Sequence, residues 1–587
     1  MRTRLVWPLG LSVALWTFVG CGDDDTSSSS GGSGGIGTGG TLSGGTAGAS
    51  GGAKNGAAGS PGRGGAGGGN TGGATNGATG GAGLGGAKTT GGTTASAGAS
   101  DGGVDGTDGG TAGMDGGTGG ATPGEGGATS GGPTDACAPA VARGADYFDF
   151  PERFNRYYTD CDWQPSSTVY VSPDGTGNGS SAASPASVSS ALSDAVPGRK
   201  IQFLSGSYDG CFELDSDHSG TYDEPIVLAA EPGVTINCCD SGRRTCFNLE
   251  GADYVAIDGF ELVGGNYGVR AVGLGYPADE HQRGIAILNN VGHGQNNDPF
   301  FTGQSDWLAI QSCTAYDTGS GDGHGIYLSN GSDWNIARWN ETYDTYSSDF
   351  QINADPASTC ADEGIDFDDP ECDAVAGSHP TGGRGASDFM LIEGNFFHHS
   401  LAQGPNFTSV RNSVVTNNLF ALPARHGVSF WQETDNPNLG SSNNLVAHNL
   451  FVTGIDNRQA VQFINESTDN RFVNNVVAAV SAGGQLLATD GTTVDSNTFE
   501  NNAWLSGSFG SEDDAPAYEP GSNELRLTDF DADWFQAFPA AVEHDPAGFA
   551  PSATAPWLDR ADLLPEVVTD RDGTARQAPV DLGPFER

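Results

Sequence analysis

Val415-Thr416-Asn417-Asn418-Leu419-Phe420 and Val446-Ala447-His448-Asn449-Leu450-Phe451 share one pattern: an apolar residue, two variable residues, an Asn and two mostly apolar residues. Four more copies lie at residues 287–290, 392–397, 472–477 and 494–499, and weaker ones lie at Phe260, Cys313 and Asn340. Successive key positions are mostly 22 to 31 residues apart. A period of this size indicates a solenoid, in which each repeat buries its apolar face against its neighbours.

Each repeat is made of short runs rich in Val, Ile and Phe, broken by Gly, Asn, Asp and Ser. Such runs are typical of β-strands, and such breaks are typical of turns. No repeat contains an apolar stripe of helix length, and the Leu-x-x-Leu-x-Leu frame of leucine-rich repeats is absent. The pattern therefore predicts an all-β fold, a parallel β-helix.

The repeated Asn is predicted to lie in a turn, because Asn tolerates a left-handed backbone and its amide can bond groups in the coils above and below. We expect an internal ladder rather than a functional site. The ladder positions are 260, 290, 313, 340, 395, 418, 449, 475 and 497. Cys313 occupies one of them, so we predict a buried small residue there and not a reactive thiol.

The first 20 residues have the composition of a secretory signal, in which Arg2 and Arg4 precede a short apolar run. The small residue before Cys21 resembles a bacterial lipoprotein cleavage box. The sequence thus predicts lipidation of Cys21 and a location on the bacterial outer membrane or cell surface. Ordinary cleavage and secretion is the alternative.

Residues 21–134 are predicted to be a disordered stalk, because a Gly, Ala, Ser and Thr tract cannot bury enough apolar surface to offset the entropy of ordering. Residues 135–166 form an N-terminal extension. Residues 167–587 are predicted to be one β-helix domain with an acidic insertion at about 355–387.

The formal net charge of −48 argues against a nucleic-acid partner and against anionic lipid surfaces. It is compatible with neutral glycans, or with anionic glycans bridged by a metal ion. We expect a monomer whose partner is a polysaccharide or cell-surface glycan.

Ten Cys in an exported chain indicate disulfides. We predict pairing of Cys360 with Cys372 across the insertion, and of Cys137 with Cys161 in the extension. Cys313 is then the free thiol. Four further cysteines form a cluster before the coils: Cys211, Cys238, Cys239 and Cys246. Zinc ligation by this cluster is a weak alternative, since adjacent Cys without a nearby His is an unusual spacing for zinc ligands.

The domain opens with Val169-Tyr170-Val171-Ser172-Pro173-Asp174-Gly175, a predicted strand and turn. Ser184 is a predicted helix N-cap with Pro185 at the first helical position, and Pro197-Gly198 ends that helix. This arrangement resembles the start of right-handed parallel β-helix proteins of the pectate-lyase-like class. The resemblance covers about residues 167–587 and implies a single-stranded right-handed β-helix with a short N-terminal capping helix. Activities in that class differ widely, so the resemblance is specific for the fold.

Alternation along the second strand of each repeat predicts which side chains point outward. The residues predicted to point inward are Ile326, Leu328, Phe350, Ile352, Val428, Phe430, Val461 and Phe463. His324 and His426 fall at equivalent positions, and so do Arg425 and Arg458. An outward face bearing His, Arg, Asp, amides and Trp suits an extended glycan, because aromatic rings stack on sugars and planar polar groups bind hydroxyls and carboxylates. We predict catalytic roles for His324, Asp349, Arg425 and His426, and substrate-binding roles for Tyr327, Gln351, Asn353, Trp431, Glu433, Arg458 and Gln462. An ordinary polar solenoid surface is the alternative.

The acidic insertion is a candidate metal site, since closely spaced carboxylates suit Ca²⁺. The predicted ligands are Asp366, Asp368 and Asp369. Their spacing matches no EF-hand loop, and an acidic surface loop is the alternative.

Two function classes remain open from the sequence. The first is a polysaccharide lyase, which needs a base and a cation beside a uronate carboxylate. Lyases of the resembling class use Lys or Arg as the base, but the only lysine after the stalk is Lys200, outside the face. Arginine or histidine would have to serve: Arg270, His324, Arg425, His426 or Arg458. A hydrolase would need paired carboxylates, with Asp349 and Glu433 as the candidates. The second class is a non-catalytic surface β-helix that binds glycan or has a structural role.

Overall fold

The computed structural model describes residues 164–239, 245–275, 279–321, 323–355, 360, 365, 385–433, 436–454, 456, 458–511, 516–538 and 545–587. The signal, the stalk, Cys21, Cys137, Cys161 and Cys372 lie outside these residues. So do the predicted metal ligands Asp366, Asp368 and Asp369.

Three long parallel sheets make up the described part of the domain, and the chain visits them in turn. Sheet A comprises Ser167–Val171, Arg199–Phe203, Ile226–Ala230, Val255–Asp258, Ala286–Leu288, Ala309–Gln311, Ile336–Arg338, Leu391–Glu393, Val414–Thr416, Leu445–Ala447, Arg471–Val473 and Thr498–Glu500. Sheet B comprises Gly206–Gly210, Val234–Cys238, Glu261–Val263, Val291–His293, Thr314–Tyr316, Glu341–Tyr343, Phe396–His398, Leu419–Ala421, Leu450–Thr453, Val476–Ala479, Ala503–Leu505 and Leu525–Leu527. Sheet C comprises Phe212–Asp215, Phe247–Glu250, Val269–Val272, Phe300–Gly303, Ile326–Ser329, Phe350–Asn353, Asn406–Thr408, Val428–Trp431, Gln459–Phe463, Gln485–Thr489 and Ser508–Ser511.

This cyclic order of parallel strands confirms the predicted right-handed parallel β-helix. Two short parallel pairs flank the main sheets: Gln282–Arg283 with Ser305–Asp306, and Ser387–Asp388 with Val410–Arg411. The other regular elements in the part of the chain that the structure describes are the helices Val188–Ser193 and Thr493–Ser496 and the 3₁₀ turns Ser216–His218, Ala532–Trp534 and Pro546–Phe549.

The N-terminal helix packs on the first coil, as predicted, but it begins later. Its N-cap is Ser187, whose side chain accepts a hydrogen bond from the Ser190 amide. The prediction that Ser184 caps it is wrong, because Ala186 forms a parallel bridge with Val171 and so extends the sheet. Leu192 packs with Val171 in the same core cluster.

An asparagine ladder crosses the turns between sheets A and B. The Nδ2 group of Asn418 donates to Oδ1 of Asn449 at 2.9 Å, and that of Asn449 donates to Asn475 at 3.1 Å. Each Nδ2 also donates to a carbonyl of the preceding coil, Ile392 O in the case of Asn418. The same pattern continues through the fully buried members Asn340, Asn395 and Asn502.

Asn497 belongs to a second ladder, so its predicted position in the first one is wrong. Asn444, Asn470 and Asn497 are linked by amide bonds of 2.9 and 3.0 Å at the opposite edge of sheet A. The helix Thr493–Ser496 precedes this strand, and the first ladder resumes at Asn502. The local pattern of an Asn followed by apolar residues fits both ladders. In the first ladder the Asn turn precedes a strand of sheet B, and in the second it precedes a strand of sheet A.

Among the described cysteines, the free thiol is the predicted one, and the pairings Cys137–Cys161 and Cys360–Cys372 stay predictions because a partner lies outside the described residues. Cys313 is free and buried, and its amide donates to Asn340 Oδ1 at 3.0 Å, as the ladder requires. The first coils carry the disulfides Cys211–Cys239 and Cys238–Cys246, which exclude the zinc alternative. Cys360 is buried and disulfide-bonded.

The C-terminal segment covers outward residues of sheets A and B. Leu419 and Leu450 of sheet B pack against Phe549 and Trp557, and Leu445 of sheet A packs with Val567. These contacts bury outward residues of two of the three sheets. Sheet C is therefore the place to look for a functional face.

The ladder yields a stability prediction. Asn418→Leu removes an acceptor from Asn395 and a donor from the Ile392 carbonyl, both of which are buried. We expect the free energy of unfolding to fall by about 1–3 kcal/mol, measured by denaturant titration. Asn523→Leu, at an exposed site, is the control. Equal stability of the two variants would contradict a structural role for the ladder.

Candidate functional site

Sheet C carries its outward side chains in register, one coil above another. The residue pairing places these side chains in one row: Arg270, Phe301, Tyr327, Gln351, Asn406, Ser429 and Gln462. The predicted inward residues all lie in the main core cluster: Ile326, Leu328, Phe350, Ile352, Val428, Phe430, Val461 and Phe463. The predicted register of this face is therefore confirmed.

A chain of hydrogen bonds passes through two members of this row, Gln351 and Asn406. His324 Nδ1 lies 2.6 Å from Ser348 Oγ, and Ser348 donates to Gln351 Oε1 at 3.3 Å. Asn406 Nδ2 donates to the same oxygen at 3.0 Å, and the indole Nε1 of Trp431 donates to Asn406 Oδ1 at 2.6 Å. The chain fixes the orientation of the Trp431 ring.

Much of this network is nevertheless buried. Gln351 is 7% exposed, Gln462 and His324 are 8% exposed, and Gln462 Nε2 donates to Ser429 Oγ at 2.7 Å. Alternation predicts which way a side chain points, but the size of the neighbouring side chains decides whether a ligand can reach it. The side chains of His324, Gln351 and Gln462 are thus largely covered by their neighbours, while Tyr327, Asn353 and Trp431 are partly exposed.

The prediction that Asp349 lies on the outward face is wrong. It is 1% exposed, Thr345 Oγ1 donates to its Oδ1 at 3.0 Å, and burial raises the pKa of its carboxyl well above the ordinary value. Gly325 is its equivalent one coil earlier, where an added Cβ would lie 2.9 Å from the Cβ of the buried Thr342. Two successive residues point inward here, since the chain is still turning from sheet B into sheet C.

A positively charged corner lies where the strand Val428–Trp431 begins. Arg425 and Arg458 are exposed and lie one coil apart at equivalent positions, as predicted. His426 is half-buried beside them. Burial, and then the charges of Arg425 and Arg458, lower the pKa of the His426 imidazole to about 4. The ring is therefore neutral at pH 7.

A carboxylate corner lies at the other end of the same strand. Asn353 Nδ2 donates to Glu433 Oε1 at 3.2 Å, and the Asp355 amide donates to Asn353 Oδ1 at 2.9 Å. The Glu433 residue as a whole is exposed, but its carboxyl is partly enclosed by neighbouring residues. This burial, and then the charge of Asp355, raise the pKa of the carboxyl. Trp431 precedes it by two residues.

The four predicted catalytic residues do not converge. His324 and His426 occupy equivalent positions, but three coils separate them, about 14 Å at the usual strand spacing. Asp349 precedes its strand and Glu433 follows its own, so the predicted carboxylate pair is also separated. The exposed groups instead gather at the two ends of one strand, Val428–Trp431.

Two features of sheet C escaped the sequence analysis. Phe301 is partly exposed in the outward row, and its ring lies 5.3 Å from those of Tyr267 and Tyr327. Asp355, rather than Asp349, is the carboxylate beside Glu433. The sequence contains the signal for Phe301. Its strand Phe300–Gly303 lies between Val269–Val272 and Ile326–Ser329, and the same alternation predicts that Phe301 points outward.

Comparison with known proteins gives the following. No protein-family model and no curated protein sequence matches this chain. Among solved structures, it is similar to the pectate lyase Pel9A, with 14% identity over 73% of this chain and 98% of that one, at a TM-score of 0.41. It is also similar to XylC in complex with xylose (11% identity, 71% and 98% coverage, TM-score 0.46) and to a rhamnogalacturonan lyase (13%, 66% and 95%, TM-score 0.44). Values this low carry no argument about activity.

Within the described ranges, no cluster of three or more His, Cys, Asp or Glu side chains has the arrangement of a metal site. The described helices include none that is long and apolar enough to cross a membrane.

The positive corner yields a prediction about protonation. Arg458→Gln removes one charge beside His426, so the pKa of His426 should rise from about 4 toward its ordinary value. NMR titration of the histidine rings measures this, with Arg283→Gln as the control.

The same change affects acid stability. The folded-state pKa of His426 lies below the unfolded value, so the unfolded state binds more protons as pH falls from about 6.5 to 4, and stability is lost across that window. Arg458→Gln should narrow the window. An unchanged His426 pKa would show that the charge of Arg458 does not affect the protonation of the His426 ring.

Proposed function

We propose that the protein binds an acidic polysaccharide at the strand Val428–Trp431 of sheet C. The observation that carries this proposal is the corner formed by Arg425, His426 and Arg458. Two exposed guanidinium groups and a neutral imidazole make a local site for an anion on a chain whose formal net charge is −48. Guanidinium groups bind carboxylates with directional hydrogen bonds.

Trp431 supports the other end of the bound segment. Trp431 lies five positions after His426 in the chain, a distance of about 16 Å in an extended strand. A saccharide lying along this strand would place a charged group at the arginines and a ring against the indole. Asn353 and Glu433 would bind its hydroxyls next to Trp431. Because the Trp431 ring is already fixed by Asn406, little side-chain entropy is lost on binding.

A second candidate function is β-elimination on a uronate-containing polymer. The observation that favours it is the unprotonated state of His426 beside two cations. Elimination needs a base for the proton next to the carboxylate and positive charge to stabilise the anion that forms. His426 would take the proton, and Arg425 and Arg458 would hold the carboxylate. The glycosidic bond on the neighbouring carbon would break as the carbon–carbon double bond forms, and the leaving oxygen would take a proton from solvent. The separation of the other predicted catalytic residues makes binding without turnover the better-supported function.

Binding to hexagalacturonate, followed by calorimetry on the full chain, tests the main proposal. We expect Arg425→Gln and Arg458→Gln each to weaken binding about tenfold or more, and Trp431→Ala to weaken it less. Arg283→Gln is the matched control for loss of charge. Wild-type affinity in both corner variants would contradict the proposal.

The same samples separate binding from catalysis. A lyase would produce unsaturated ends that absorb in the ultraviolet, and His426→Ala would abolish them while leaving the fold intact. Absence of product from the wild-type protein, together with intact binding, would leave the non-catalytic function standing.

We also propose that the protein is exported and anchored through a lipid on Cys21, and that the acidic insertion holds Ca²⁺ through Asp366, Asp368 and Asp369. Cys21→Ser should release the protein from membranes or leave its precursor unprocessed, as judged by fractionation and intact mass. A variant that stays in the membrane at the mature mass would contradict anchoring.

A further inference from the structure

A groove opens where three successive coils turn from sheet B into sheet C. It has a volume of about 580 Å³. Its coils come before the coil that carries the strand Val428–Trp431. Its walls come from the same turn in each coil: Gly264, Gly265 and Asn266; Gly294, Gln295 and Asn296; Asp317, Thr318 and Gly319. None of these residues belongs to the site described above.

The groove exists because two coils have glycine where later coils have side chains. Gly264 and Gly294 adopt left-handed backbone, with φ of +71° and +69°. Asp317 and Asp344 occupy the same turn position on the next coils with φ of 52° and 50°. A Cβ on Gly264 would meet no atom within 4 Å, and one on Gly294 would meet only the Gly264 nitrogen, at 3.8 Å.

The lining groups are suited to sugar hydroxyls. Asn266 and Asn296 supply amide groups, which both donate and accept hydrogen bonds. The Thr318 hydroxyl is used within the protein, because it donates to Gly323 O at 2.7 Å and accepts from the Tyr346 amide at 2.8 Å. Gln295 is fully buried, its Nε2 donates to Leu262 O at 2.9 Å, and its Oε1 accepts no hydrogen bond from the described residues.

Charge decides which kind of sugar fits. Among the described residues that line the groove, Asp317 is the one with a charged side chain. A carboxylate accepts hydrogen bonds from neighbouring hydroxyls and repels an anionic sugar. The groove is therefore suited to an uncharged sugar, in contrast to the corner at Arg425 and Arg458.

Three aromatic rings form a row that starts one residue beyond the groove-lining Asn266. Tyr267 directly follows Asn266, and its ring lies 5.3 Å from that of Phe301, which lies 5.3 Å from Tyr327. All three rings are partly exposed. A partly exposed Phe in the outward row of a sheet offers an apolar surface of the kind on which sugar rings stack.

We propose that this groove and the row of three rings bind a neutral sugar unit of the polysaccharide. The inference rests on the proposed function and names its substrate more closely. Four coil steps separate Phe301 from the strand Val428–Trp431, about 19 Å at the usual spacing. A chain that reaches both sites carries anionic and neutral sugars, so the substrate is an acidic heteropolysaccharide rather than a pure polyuronate.

Calorimetry on the full chain with cellohexaose, xylohexaose and mannohexaose tests this site. Gly294→Asn fills the groove, and Asn tolerates the left-handed backbone of that position. Phe301→Ala removes the ring without touching the turn. Asp344→Asn, at the same turn position beyond the groove, is the control. We expect at least one of the three sugars to bind, and both test variants to weaken it about tenfold.

The two sites are separable by the choice of sugar. Arg458→Gln should leave binding of the neutral hexasaccharide unchanged, and Gly294→Asn should leave binding of hexagalacturonate unchanged. Failure of all three neutral sugars to bind the wild-type protein, or wild-type affinity in both Gly294→Asn and Phe301→Ala, would overturn the inference. Loss of hexagalacturonate binding alone would bear on the positive corner and not on the groove. If Gly294→Asn fails to fold by circular dichroism, Phe301→Ala decides.

Discussion

The buried asparagine ladder is the constraint on which the rest of the structure depends. A buried amide needs both a donor and an acceptor, and in the ladder the equivalent Asn and a carbonyl of an adjacent coil supply them. A one-residue slip of any coil would leave these groups buried without partners. The ladder therefore holds successive coils in register, and register turns residues far apart in sequence into rows on a face. Arg425 and Arg458 are neighbours for this reason.

Packing then limits where function can lie. The C-terminal segment covers outward apolar residues of sheets A and B, and the polar row of sheet C is largely occupied by its own hydrogen bonds. What remains accessible lies at the ends of strands, where side chains reach past their neighbours. The positive corner and the glycine-lined groove both lie at the entrance to sheet C. The two differ in charge, because one has two arginines and the other has a carboxylate.

Sequence periodicity was sufficient to predict the fold, the inward residues of sheet C and the equivalence of His324 with His426. It failed where the physical cause is not periodic. Asp349 points inward because the turn into its strand is not yet finished, and Asn497 moved to another ladder because a helical turn precedes its strand. Burial of His324 depends on neighbours from other coils, and the groove depends on side chains that glycine lacks. Neither is visible in a single repeat.

An anionic sugar bound between Arg425 and Arg458 would be visible directly in a structure. A crystal structure of the full chain with an oligogalacturonate is therefore the most direct test of the proposed binding. We expect a sugar carboxylate within hydrogen-bond distance of at least one of the two guanidinium groups, and a sugar ring against Trp431. An oligosaccharide bound elsewhere on the coil, with both arginines uncontacted, would contradict it.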